Sequence, residues 1–230
     1  VSLSNCRCLT GYWHKGSAIN MASRGFWDRI ADRYAGQPVS DQASYEKKLA
    51  LTRDYFNPSM QVLEIGCGTG STAIAHAPYV RQIHAVDLSG RMIEIAREKA
   101  AAAGVGNISF ECATAEALDL PGASVDAVLG MSVLHLLDDP GATVTAVHVL
   151  LKPGGLFFSS TACIGDMGWI FRLIAPVMKV LPFLPTVQVF AVSDLEETIK
   201  EAGFDIEYQW QPGKDKAVFI VARKPLEVVA

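Results

Sequence analysis

The chain has 230 residues, with 20 Lys and Arg against 24 Asp and Glu, a formal net charge of −4. No basic block appears, so the charge pattern gives no nucleic-acid-binding surface. Half of the residues are apolar, enough to cover both faces of a sheet in one domain.

The first twenty residues, VSLSNCRCLTGYWHKGSAIN, have neither helical period nor the apolar run of a signal peptide. They are expected to be a non-native or disordered extension, with one domain over 21–230. From Met21 the pattern changes. Phe26, Trp27, Ile30 and Tyr34 recur at helical spacing over 24–35. A second helix over 41–56 stops before Pro58. Short apolar runs then alternate with helical stretches. Strands are expected at 60–65, 82–86, 107–112, 125–131 and 155–161, and helices at 71–78, 89–103 and 140–150. Such alternation is the pattern of a parallel sheet with crossover helices. Lys152-Pro153-Gly154-Gly155 reads as a turn ahead of the fifth strand. A helix over 193–202 and two β-like runs, 204–210 and 216–223, close the chain as an antiparallel hairpin at one sheet edge.

The cysteines are Cys6, Cys8, Cys67, Cys112 and Cys163. An odd count in mostly apolar surroundings suits reduced thiols in a cytoplasmic protein. Cys6 and Cys8 lack a second ligand pair at zinc spacing, and no metal site is read.

Residues 62–70, VLEIGCGTG, put the lone carboxylate of Glu64 near the end of a buried strand. The loop behind it gives up side chains at Gly66, Gly68 and Gly70. Strand, glycine loop and helix bring backbone close to a ligand at the carboxyl end of a parallel sheet. A dinucleotide would ask for G-x-G-x-x-G, and Ser71 stands where the third glycine belongs. A ligand without phosphate but with an amine and a sulfonium, such as S-adenosylmethionine, suits an acid beside the loop better. A second acid at the end of the next strand would take the ribose, and Asp87 in HAVDLSGRM stands there. Charge-assisted hydrogen bonds of that kind contribute about 1.5–3 kcal/mol each.

With VLEIGCGTG, AVDLSGRMIEIAREKA, ATAEALDLP, VDAVLGMSVLHLL and LLKPGGLFF, the chain resembles the class I S-adenosylmethionine-dependent methyltransferases. Within them it is similar to the broad group that includes ubiquinone and menaquinone biosynthesis methyltransferases. The resemblance implies a Rossmann-like α/β fold: a seven-stranded, mostly parallel sheet with an antiparallel edge strand and helices on both faces. It implies that Gly66, Cys67, Gly68 and Gly70 pass under the cofactor's methionine and ribose, with Cys67 needed only as a small residue. Asp87 would hold the ribose hydroxyls, Leu88 and Met92 would border the adenine, and Met131 would lie beside the sulfonium. Many relatives carry Asp where this chain has Thr114, so the adenine amino group would meet that hydroxyl and the backbone of Ala115. His135, in SVLHLL, stands where relatives line the acceptor pocket and is the candidate base. Tyr34 stands where relatives place an aromatic over the cofactor. The charges around Arg91 and 94–99 read as a solvated helix face.

Residues 164–192 are apolar and hold Pro176, Pro182 and Pro185. Their longest uncharged run is too short and too broken to span a membrane, which takes about 20 residues. By the resemblance this segment is a lid over the acceptor. An apolar lid implies an apolar acceptor: a quinone precursor, another prenylated ring or a lipid. Three readings of the segment compete: a plain buried or dimer-forming lid, a lid lining a hydrophobic pocket, and an interfacial helix making peripheral membrane contact. The expectation is methyl transfer to a small, lipophilic molecule. The rivals are a methyltransferase for a polar small molecule, a non-catalytic S-adenosylmethionine-binding partner protein and, more remotely, a nicotinamide enzyme.

Overall fold

A computed structural model describes residues 17–163, 165, 188–189 and 191–226. Most of the expected lid and residues 1–16 of the expected extension lie outside the described residues.

Two helices open the described chain. α1 (Ser17–Ala35) begins ahead of Met21, where the sequence pattern changes. α2 (Gln42–Arg53) is shorter than its expected range. It starts where the Asp41 carboxylate accepts the Ser44 N–H at 3.1 Å and supplies a first-turn donor with a partner. The rest alternates strand and helix: β1 (Gln61–Ile65), α3 (Ser71–His76), β2 (Gln82–Asp87), α4 (Gly90–Ala102), β3 (Ile108–Cys112), β4 (Val125–Met131), α5 (Pro140–Leu150) and β5 (Leu151–Thr161). α6 (Val192–Glu201), β6 (Asp205–Trp210) and β7 (Val218–Arg223) follow.

The seven strands are ordered β3-β2-β1-β4-β5-β7-β6. β1 to β5 pair parallel, while β7 runs antiparallel to both β5 and β6. The antiparallel hairpin therefore closes one edge, with β7 one place in and β6 outermost. The Lys152–Gly155 stretch bulges within β5: pairing skips from Val125–Leu151 to Ala127–Leu156. Gly154 takes φ +77° there.

Strand alternation divides the core. Leu63, Val128, Phe157 and Ile220 face α5 and α6. Val62, Ala85, Leu129 and Phe158 face the other layer, where Leu51, Tyr55 and Phe56 pack. No described helix is long and apolar enough to cross a membrane. Cys67 and Cys163 are free and buried. Cys112 is disulfide-bonded, which corrects the expectation of reduced thiols throughout. Sequence spacing does not show which distant cysteine a fold brings to a given sulfur.

Candidate active site

Strand order reverses between β1 and β4, where the connections after them leave the sheet to opposite sides. A crevice forms outside the carboxyl ends at such a point. The chain lines it with the glycine loop 66–70, the end of β2, and the turn after β4.

The three glycines serve three different ends. All take left-handed φ, +65° at Gly66, +52° at Gly68 and +74° at Gly70. A Cβ on Gly66 would lie 2.4 Å from Cγ2 of Val133. A Cβ on Gly70 would lie 2.9 Å from Ala96 on α4. These two glycines let neighbouring elements close in. At Gly68 the nearest atom to such a Cβ is Cε1 of Tyr34 at 4.0 Å, so that stretch of backbone stays open on the crevice side.

Two carboxylates stand behind the loop. Asp87 ends β2, and its two oxygens accept the N–H of Gly68 and of Ser89, both at 2.9 Å. Burial raises its pKa and those two donors oppose the rise. Glu64 is 2% exposed on β1, and its Oε2 has no hydrogen-bond partner. Burial, reinforced by the Asp87 charge, pushes its pKa up to about 8. A buried carboxylate with an open lone pair beside a second acid favours a cation. An amine-bearing sulfonium nucleoside meets that demand, and the open backbone at Gly68 gives it room. These residues fit S-adenosylmethionine.

The remaining expected residues fall into groups. Tyr34 lies on α1 above the loop, 49% exposed, its phenol pKa raised by burial and by Asp87. Trp27 packs edge-on to it at 6.3 Å. Leu88 and Thr114 flank the end of β2, partly buried, and Ala115 opens a short turn there. Met92 lies on α4. It is 2% exposed in a cluster with Ala31 and Ile95, packed against α1. Cys67 points into the core, and burial holds its thiol well above its ordinary pKa. Met131 ends β4 beside the loop, on the Glu64 face.

His135 sits in a single turn, Leu134–Leu136, after β4. Its Nδ1 is buried without a partner, and burial lowers its pKa to about 4. It is neutral and weakly basic at neutral pH. Its carbonyl accepts the Gln188 N–H at 2.7 Å, which ties the chain after 187 to the crevice rim.

Several site residues had no clear sequence signal. Ser132, directly after Met131, is a non-glycine residue at φ +59°, a conformation that collects at functional sites. Lys48 and Tyr45 reach the crevice from α2. The Tyr45 hydroxyl lies 3.4 Å from Thr72 Oγ1, and Lys48 Nζ donates to Ser160 Oγ at 2.8 Å. The available hint was that Lys48 shares a helix face with Tyr45, Leu49 and Thr52, of which Leu49 and Thr52 are buried. Arg91 does more than solvate α4: it pairs with Asp32 on α1 as well as with Glu94.

Residues 62–155 match the family described as Methyltransferase domain. The uncharacterized methyltransferase YcgJ of Bacillus subtilis is 38% identical over 97 residues, covering 42% of this chain and 38% of that protein. A ubiquinone biosynthesis O-methyltransferase of Methylocella silvestris is 36% identical over 115 residues, 48% of this chain and 44% of that protein. The chain thus spans less than half the length of these two curated relatives. The namesake from Sinorhizobium fredii is 27% identical over 93% of this chain and 86% of its own length. The crystal structure of YcgJ superposes with a TM-score of 0.66 at 20% identity, covering 78% of this chain and 99% of that one, a likeness of fold. Residues 62–155 are thus similar to the methyltransferase domain, and the seven-stranded sheet of this order has the fold of solved methyltransferases.

Proposed function

We propose that this chain methylates a small, lipophilic acceptor at the expense of S-adenosylmethionine, by in-line displacement. The observation that carries the reading is Glu64, a buried carboxylate with an unpartnered oxygen beside an open glycine loop. The cofactor, when bound, supplies a methyl group on a sulfonium whose thioether leaves without needing a proton.

In this reading the protein orients and dries. Glu64 faces the cofactor's positive charge, Asp87 takes the ribose hydroxyls, and Gly66, Gly68 and Gly70 keep side chains out of the way. Leu88, Thr114 and Ala115 border the adenine, and Met131 borders the sulfonium. Tyr34 covers the crevice from α1. Holding the acceptor oxygen in line and within about 3–3.5 Å of the methyl carbon is worth roughly 7–11 kcal/mol. His135, with a pKa near 4, lines the acceptor side as a neutral ring and is a poor proton acceptor. A lipophilic acceptor accords with the apolar 164–192 segment and with the ubiquinone-biosynthesis names of two relatives. A cytoplasmic enzyme whose lid makes reversible membrane or dimer contact belongs to the same proposal.

Calorimetry with S-adenosylhomocysteine tests binding, and methyl release on quinol, phenol and lipid panels tests turnover. Micromolar binding with turnover on an apolar acceptor is expected. Turnover on polar acceptors alone would replace the acceptor class. Binding without turnover on any panel would favour a non-catalytic partner protein.

A further inference from the structure

Resting on the methyl-transfer reading, we propose that Lys48, steadied by Ser160, receives an anionic oxygen of the acceptor at the β5 end of the crevice.

The sheet register places the pair. Glu64 on β1 is opposite Leu129 on β4, which is opposite Phe158 on β5. One step toward the carboxyl ends on the same face come Met131 and, opposite it, Ser160. Ser160 is 2% exposed and receives the Lys48 ammonium from α2 at 2.8 Å. With strands about 4.8 Å apart, Lys48 is anchored one strand beyond Met131 and two beyond Glu64, about 10 Å away.

Among the described residues, Lys48 is an ammonium without a carboxylate partner; Ser160 is its hydrogen-bond partner. Among the described residues, Asp41 at the head of α2 acts on it electrostatically. That carboxylate is already engaged, with Lys216 at 3.3 Å and with the Ser44 N–H. Partial burial lowers the Lys48 pKa, the direction expected of a cation that has lost water and gained no anion. The crevice thus has two chemically distinct ends: the acids Glu64 and Asp87 at β1 and β2, and the Lys48 ammonium at β5. A cationic cofactor matches the first end and an anionic acceptor atom the second. Ser132 reinforces the second end. Held at φ +59°, it donates its N–H to the Ser160 carbonyl at 2.7 Å and fixes the strand end on which Lys48 rests.

For a hydroxyl acceptor, the oxygen binds as its oxyanion while the proton leaves to water. The nearby ammonium lowers the hydroxyl's pKa, so no side-chain base is required. A carboxylate is recognised by the same charge, and two probes separate these sources: 4-nitrophenol, whose phenolate is coloured, and benzoate. The full chain should bind 4-nitrophenol with its apparent pKa lowered by about one unit or more. Lys48→Met should abolish that shift and weaken each bound probe by about tenfold or more, and Lys48→Arg should restore binding. S-adenosylhomocysteine affinity should stay unchanged in Lys48→Met. Binding of benzoate alone, still lost in Lys48→Met, supports the anion site and assigns it to carboxylates. The inference is overturned if the unmodified chain binds neither anion, or if Lys48→Met binds them as tightly. An unshifted 4-nitrophenol pKa in the unmodified chain overturns the hydroxyl route without any variant. Failure of S-adenosylhomocysteine to bind the unmodified chain would instead sink the methyl-transfer reading, whatever the anions do.

Discussion

The Asp87 carboxylate accepts the Gly68 N–H at 2.9 Å across nineteen positions of chain. The side chain proposed to take the ribose therefore also holds the glycine loop in shape. Its other oxygen is on the Ser89 N–H, at the head of α4. Ser89 in turn donates to Asp28 on α1 and accepts the Met92 N–H. Loop, helix start and covering helix meet at this one acid.

Asp87→Ala should lower S-adenosylhomocysteine affinity by at least about tenfold, 1.4 kcal/mol. It should also lower the melting midpoint, because two backbone donors lose their acceptor at a cost of about 1–3 kcal/mol. Asp87→Asn keeps an acceptor oxygen and should lose less stability. Calorimetry and thermal melts check both; unchanged affinity in Asp87→Ala contradicts the ribose role.

Gly66 and Gly68 should respond differently to alanine. Gly66→Ala meets Val133 as well as a left-handed backbone, for a combined cost of about 2–5 kcal/mol. Adding Val133→Ala should recover part of it. Gly68→Ala meets no neighbour closer than 4.0 Å, so the backbone cost of about 1–2 kcal/mol stands alone, and the loss falls on the cofactor. Denaturant melts should rank the first as less stable, and calorimetry should find the second nearly as stable but weakly binding. Equal stability of the two would count against this division.

Glu64 predicts a pH dependence with a definite sign. Folded Glu64 keeps its proton up to about pH 8, while the ordinary carboxyl releases it at 4.5. Folding takes up a proton in between, so the Glu64 contribution to stability falls as pH rises through that window, by on the order of 3 kcal/mol at neutral pH. Glu64→Gln should therefore raise the ligand-free melting midpoint more at pH 8 than at pH 5. If Glu64 meets the cofactor's positive charge, S-adenosylmethionine affinity should rise over the same window in the unmodified chain and stay flat in Glu64→Gln. A gain that does not depend on pH would show that the carboxyl is not the titrating group.

His76 works in the opposite direction. It is fully buried, packs edge-on to Phe56 at 5.1 Å, and leaves both ring nitrogens without partners. Burial, aided by Arg53, lowers its pKa from 6.5 to about 4. The unfolded chain binds the extra proton, so this contribution is intact above pH 6.5 and lost as pH falls to about 4, on the order of 3 kcal/mol. His76→Leu should flatten that loss in urea titrations at stepped pH. A slope equal to that of the unmodified chain would refute it. His135, shifted alike by burial, accounts for part of what remains.

The alternation of elements was legible because each strand and helix is written within about ten residues of chain. β4 and α5 fall on their expected bounds, and most others within a few residues. Departures occur at the ends. α2 stops at Arg53, and the Pro153-Gly154 bulge is drawn into β5 because both its sides pair with β4. The glycine loop and the acids at Glu64 and Asp87 were legible too, since a strand end and the turn after it are neighbours in sequence. What the crevice looks like from above was not. Lys48 and Ser160 are 112 positions apart, and Val133 closes on Gly66 across 67.

The chain alone therefore determined the order of strands and helices, the side-chain-free loop and the two acids, since those depend on local backbone preference and short-range spacing. Only tertiary packing decided which groups lose water and which keep a partner. It raised the Glu64 pKa, drew Met92 beneath α1, and brought an ammonium from α2 to the end of β5. Desolvation and pairing depend on the surfaces that close over a residue, and those come from segments far away in the sequence.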